Sequence, residues 1–207
     1  MGLVSMKTVA ALFVEEGGIY ANLPGVDVWG ISRDARTYVG PNSVICHPPC
    51  QLWGPFARVN YKRWGGEHNR PGNDGGCFAA ALAAVRKYGG VLEHPAFTYA
   101  WAAYHLPRPV PCRWTQADGV WVAEVWQSAY GHKARKRTWL LYCGASAPAD
   151  MRWDRPAGTH QIGFHDQRGK ERNKPTLSGK AASATLPEFR DALLGLARQS
   201  VAKENQL

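Results

Sequence analysis

The stretch "GNDGGCFAAALAAVRKYGGVLEHP", residues 72–95, constrains the fold more than any other part of the chain. Its Ala-rich run reads as a helix with Asn73 or Asp74 as cap. Arg86 and Lys87 sit at the negative end of the helix dipole, and Gly89-Gly90 stops the helix. The chain then enters "VLEHP" (91–95), a strand candidate that ends near a glutamate. Another candidate, "NSVIC" (42–46), lies upstream, so the order is strand, helix, strand, which implies a parallel sheet. The expected fold class is α/β: a Rossmann-like parallel sheet flanked by helices. In such sheets ligands bind beyond the carboxyl ends of the strands, where Cys50 and Glu93 would both sit.

The rest of the chain fills in around that unit. "KTVAALFV" (7–14) reads as a buried strand followed by the turn "EEGG", and "VDVWGI" (26–31) as a second short strand. Residues 51–73 mix Gly, Pro and Asn with basic residues and read as loop. "FTYAWAAYHL" (97–106) is expected to be a short helix. "GVWVAEVWQSAYG" (119–131) reads as a strand entering a turn, and "TWLLYCG" (138–144) as another strand. "HDQRGKERNKPTLSGKAAS" (165–183) reads as a polar, basic loop. A last helix is expected to begin at a capping box, Thr185 with Glu188, and the tail "VAKENQL" to fray. Residues 1–150 are expected to form the catalytic α/β domain. Residues 151–207 supply a basic loop and a helix packing on that same domain.

Composition narrows the function. With no apolar run long enough to span a bilayer and no export signal, a soluble cytoplasmic protein is expected. The five cysteines (46, 50, 77, 112 and 143) are then reduced thiols, one of which is a candidate functional group. A net charge of +9 attracts polyanions such as DNA, and nine tryptophans can stack on bases or fill a core.

The stretch "SVICHPPCQLWGPF" (43–56) carries the densest chemistry. Cys46, His47 and Cys50 could join His68 and Cys77 around zinc, but Cys46 and His47 point to opposite sides of a strand. No compact CxxC pair exists either, so no metal site is expected, and Cys46 and Cys77 read as small apolar residues. A nucleobase deaminase needs H-x-E and P-C-x-x-C; Pro49-Cys50 is followed by Gln51, Leu52 and Trp53, and H-x-E is absent. What remains is Cys50 at one strand end, Glu93 at a neighbouring one, and Arg135 with Arg137 before a third strand. A thiol near guanidinium groups can favour its thiolate, and a carboxyl in the same pocket can hold or donate a proton. Taken singly, Glu93 also reads as a surface carboxylate and "KARKR" as a solvated basic run.

In order, these motifs resemble the DNA cytosine-5 methyltransferases. Pro49-Cys50-Gln51 is similar to the family's P-C-Q nucleophile loop, and Glu93 to the glutamate of its E-N-V motif, with His94-Pro95 in place of Asn-Val. Tyr130-Gly131 with Arg135 and Arg137 resembles its Y-G-x-P-Q-x-R-x-R motif, one residue short. "LFVEEGG" (12–18) is similar to the F-x-G-x-G-G cofactor loop, keeping Phe13, Gly17 and Gly18 with Glu15 at the first glycine. The resemblance implies an abridged class I methyltransferase-like architecture in which Cys50 attacks C6 of a flipped-out cytosine. Glu93 would bind the base's N3 and amine edge, and Arg135 and Arg137 would steady O2 and the Cys50 loop. S-adenosylmethionine would be held by Phe13, Gly17 and Gly18, with Asp34 nearest the acidic position expected for its ribose and Pro49 bordering the site. DNA is the implied partner, met by loops 54–72 and 165–183, with a partner subunit as a further source of target recognition. Two other readings stand beside this one: a different pyrimidine or nucleotide modification on the same fold, and a nucleic-acid-binding relative without catalysis.

Overall fold

Short runs of small and β-branched residues build a seven-stranded sheet in the computed structural model, which describes residues 7–162 and 174–200. The strands are β1 (Val9–Leu12), β2 (Val26–Trp29), β3 (Ser43–Cys46), β4 (Gly90–Pro95), β5 (Thr115–Ala117), β6 (Val120–Trp126) and β7 (Arg137–Cys143). A two-stranded pair, β8 (Gln161–Ile162) with β9 (Thr176–Leu177), lies apart from it. The helices are α1 (Pro55–Trp64), α2 (Cys77–Tyr88), α3 (Tyr99–Ala103), α4 (Gly179–Ser183) and α5 (Pro187–Gln199).

The order across the sheet is β2-β1-β3-β4-β7-β6-β5. The expected parallel sheet is present in β1 to β4, with Leu12 level with Trp29 on one side and Cys46 on the other. Beyond β4 the sheet is mixed, which corrects the expectation. β7 runs antiparallel to both β4 and β6, because the residues between β6 and β7 are too few for a crossover and the chain must fold straight back. One edge of the sheet thus collects the carboxyl ends of β1 to β4 and β6 together with the start of β7.

Alternation along the strands feeds two cores. On one face α2 lays Phe78, Ala81 and Val85 over Leu12, Val44, Cys46 and Leu92. On the other, α5 sets Phe189, Leu193 and Ala197 against Val9, Ala11, Ile45 and Val91. No helix among the described residues is long and apolar enough to cross a membrane.

Local signals explain the helix ends. The N-cap position of α2 falls to Gly76 rather than to Asn73 or Asp74, and Asp74 serves the first turn from two residues further out: Oδ1 accepts from Gly76 N–H at 3.0 Å, and Oδ2 from Phe78 N–H at 2.8 Å and Trp53 Nε1–H at 2.9 Å. Asp74→Ala is therefore expected to cost about 1–2 kcal/mol, read as a lower urea midpoint. Thr185 does not cap the last helix; Pro187 opens α5 and Leu186 precedes it without a side-chain cap bond. Residues 51–73 are not all loop. Pro55, with its fixed φ, starts α1, and Gly65 ends it, so the residues read as breakers mark the ends of a helix. Of the basic stretch 165–183, residues 165–173 lie outside the described residues, as does the tail 201–207; the remainder holds β9 and α4.

Candidate functional site

β1 has β2 on one side and β3 on the other, so strand order reverses there and a crevice opens beyond its carboxyl end. This cavity of about 440 Å³ is walled by Phe13, Val14, Gly30, Ile31, Asp34 and Pro49, with Ala35, Arg36 and Cys77 completing it. Phe13 (φ 60°) and Asp34 (φ 44°) both hold left-handed backbone. Such strain in residues other than glycine gathers at ligand sites.

Three of the five residues expected around a cofactor therefore border the crevice, and Gly17 and Gly18 do not. Gly18 closes a tight turn: its N–H donates to Glu15 O at 2.9 Å, and a Cβ there would fall 2.8 Å from that same oxygen. Glu15 reaches the other way, to Lys180 of α4 at 2.8 Å. The Asp34 carboxylate is already gripped by the Arg36 fork, with Nε and Nη2 each at 2.8 Å.

Next to the crevice, β3 aims Cys46 into the α2 face and His47 to the α5 face. His47 N–H donates to Leu12 O at 3.1 Å, extending the β1–β3 pairing before Pro48 and Pro49. The exposed Cys50 follows. On β4, Glu93 and His94 diverge in the same way. Glu93 is buried, with Oε2 at 3.0 Å from His47 Nδ1 and Oε1 accepting from Gln127 Nε2 at 3.2 Å. Burial alone would raise its pKa, but the His47 hydrogen bond and charge, with Lys136 and His94, outweigh that and bring it down to about 2. His94 lies edge-on to Phe78, ring centroids 5.3 Å apart, and burial takes its pKa down to about 4. Packing around the Cys50 thiol and the Glu93 charge raise its pKa, while Lys136 pulls the other way.

The arginines divide differently from the expectation. Arg137 places Nε and Nη2 on Glu124 Oε1 at 2.9 and 2.6 Å, and Glu124 Oε2 accepts from Trp139 Nε1–H at 2.7 Å. Arg135 is exposed, 6.0 Å from the Trp126 ring centroid, which Arg155 also approaches at 4.7 Å. Strand alternation sends Arg137 to the Glu124 side and leaves Lys136 on the side of Thr138 and Glu93. Lys136 is thus the cation whose charge acts on both Cys50 and Glu93, while its Nζ donates to Ser183 O at 2.9 Å and Ala184 O at 3.2 Å.

No protein-family model, curated protein or solved structure matches this chain. Its site must be read from its own residues. Four of them escape sequence reasoning: Tyr20, His47, Gln127 and Lys136. In the sequence His47 reads only as a metal ligand, and Lys136 stands unnoticed between two arginines. Tyr20 and Gln127 carry no sequence signal, because only the folded sheet edge brings Tyr20 to His47 and Gln127 to Glu93. Among the described residues no three His, Cys, Asp or Glu side chains converge as a metal site.

The helix after Cys50 has an open surface. In α1 only Ala57 is buried, and Val59, Tyr61 and Trp64 stand 56%, 40% and 62% exposed among Arg58, Lys62 and Arg63. Aromatic rings interleaved with cations can stack bases and follow a phosphate backbone at once.

Proposed function

We propose that this protein modifies a pyrimidine base of DNA through a covalent bond from Cys50 to ring C6, with S-adenosylmethionine as methyl donor. One observation carries the reading: the thiol of an exposed cysteine and a buried, ionised carboxylate occupy the ends of neighbouring parallel strands, beside a crevice at the switch point. Cys50 is the nucleophile. Glu93 accepts from the exocyclic amine and orients the ring. Lys136 offsets negative charge as the adduct forms, whereas the resemblance had Arg135 and Arg137 steady O2 and the Cys50 loop. The Pro-Pro segment limits the backbone freedom that the thiol must lose to attack. Extracting a base from the stack costs a few kcal/mol, and the basic, aromatic surface of α1 can offset it.

The crevice fits an adenosyl group in size and in its apolar walls. Phe13, Val14, Ile31 and Pro49 are the residues that would hold it, and the bound donor would supply an electrophilic methyl group. The reversed strand set between β4 and β6 supports an abridged methyltransferase-like architecture. Two contacts favour a second reading in which the same base pocket works without this donor. Asp34 is filled by Arg36, and Glu15 stands at the turn with its charge turned to Lys180.

Two measurements separate these. DNA from cells expressing the protein is digested and its nucleosides profiled by mass, and the purified protein is titrated calorimetrically with S-adenosylmethionine. New 5-methylcytosine and saturable binding are expected. An unfamiliar nucleoside mass without binding would establish the second reading, and an unchanged profile without binding would overturn methyl transfer to DNA.

A further inference from the structure

One unbroken chain of hydrogen bonds crosses the carboxyl edge of the sheet. Tyr20 OH lies 2.9 Å from His47 Nε2, and His47 Nδ1 3.0 Å from Glu93 Oε2. Gln127 Nε2 then bridges Glu93 Oε1 at 3.2 Å and Thr138 Oγ1 at 2.8 Å. Tyr20, Glu93, Gln127 and Thr138 are all buried, whereas the His47 side chain keeps 14% of its surface open. The polar chain therefore meets solvent chiefly at its imidazole, three residues before Cys50. Packing alone does not call for an ionisable pair at this place, since apolar residues of similar volume serve as well or better.

The surroundings hold both ends of the imidazole in role. Its Nδ1 faces a carboxylate, which fixes the ring orientation. Burial and the Glu93 charge raise the Tyr20 pKa, so the phenol stays neutral and its oxygen can accept from Nε2–H. Arg190 and Asp191 of α5 act on Tyr20, and Cys46 lies behind it. His94 backs Glu93 from the other face of β4, and Lys136 and Cys50 close the ring of charged or titratable groups.

We propose that His47 is the proton source of the base pocket: it passes its Nδ1 proton to Glu93, and Glu93 passes one to ring N3 of a cytosine as Cys50 bonds to C6. This rests on the pyrimidine-adduct reading above. In that step the Sγ–C6 bond forms, and the thiol proton leaves to water at the exposed Cys50. The C5=C6 electron pair moves to C4–C5, and the C4=N3 pair moves onto N3, which takes the proton from Glu93. Glu93 has that proton from His47 and is left ionised again, and His47 ends as neutral imidazole donating Nε2–H to the Tyr20 oxygen.

Exchange of the cytosine C5 hydrogen tests this without any methyl donor, because reversible adduct formation in D2O replaces that hydrogen with deuterium. The probe is a cytosine-containing single-stranded oligodeoxynucleotide, read by its mass gain. His47→Gln is expected to slow exchange about 100-fold or more with oligonucleotide affinity unchanged. Tyr20→Phe is expected to slow exchange several-fold with oligonucleotide affinity unchanged, since the imidazole Nε2–H loses its acceptor. By proton NMR, the wild-type protein should show an exchange-protected imidazole N–H resonance that Glu93→Gln abolishes. Wild-type exchange with His47→Gln equally fast would overturn the proton role and leave the adduct reading standing. No exchange in the wild type would overturn both, and a missing protected resonance would overturn the relay whatever the exchange shows.

Discussion

Cys50→Ala abolishes base modification, by roughly 10⁴-fold or more, and leaves folding stability within about 0.5 kcal/mol of wild type. The two halves of that expectation have separate causes. Without Sγ no bond to C6 can form, and neither Glu93 nor Lys136 can replace a nucleophile. Stability is spared because Cys50 is an exposed residue at the end of a proline-stiffened loop and, whatever local packing its thiol has, belongs to neither core. Cys46 is the internal control. It is fully buried against the α2 face, so Cys46→Ala should lower stability and spare the chemistry. Nucleoside profiling beside urea denaturation reads both variants, and retained activity in Cys50→Ala would remove the nucleophile from the mechanism.

Acid should weaken the protein in two stages. His94 titrates at about 4 in the folded chain against its ordinary 6.5, so between those values the unfolded state binds a proton that the folded state refuses. Stability therefore falls as pH drops through that window, by on the order of 3 kcal/mol. Glu93, at about 2 against 4.5, then acts in the same direction further down: its contribution is present above about 4.5 and is lost as pH falls toward 2. His94→Phe should flatten the first stage, because a ring of similar size can fill the space beside Phe78 and Trp101 without a proton to refuse. Urea midpoints collected from pH 7 to pH 4 check it. An unchanged slope in His94→Phe would place the acid sensitivity elsewhere.

The fold was legible where local chemistry repeats. The α2 run, the Asp74 carboxylate that serves its first turn and the "VLEHP" strand could be read because caps, dipole charges and glycine stops act within a few residues. The turn back at β7 could not, since direction there follows from a connection length and from which strand β6 leaves free. Residues 55–64 escaped because Pro55 and Gly65 look like breakers when they are in fact the two ends of α1. At the site, Cys50 and Glu93 were visible as a thiol and a carboxyl at the ends of neighbouring strands. Asp34 and Arg137 were visible as charges, but Arg36 and Glu124 claim them, and a sequence does not show who answers a charge. Tyr20 reaches His47, and Gln127 reaches Glu93, from distant parts of the chain, so no spacing announces them.

The run Arg135-Lys136-Arg137 has a consequence for how such a site can change. Because the side chains alternate at the start of β7, deleting Arg137 with the rest of the strand held in register would move Lys136 to the face of Glu124 and Arg135 to the face of Glu93. The buried Glu124 would then meet an ammonium too short for its two-pronged contact, and the thiol would meet a guanidinium, which is more weakly hydrated and never gives up its proton. Two cations that swap faces would make a different electrostatic instrument. A single position at the start of β7 thus works as a tuning peg for the charge that reaches a cysteine far away in sequence, while Cys50 and Glu93 stay in place.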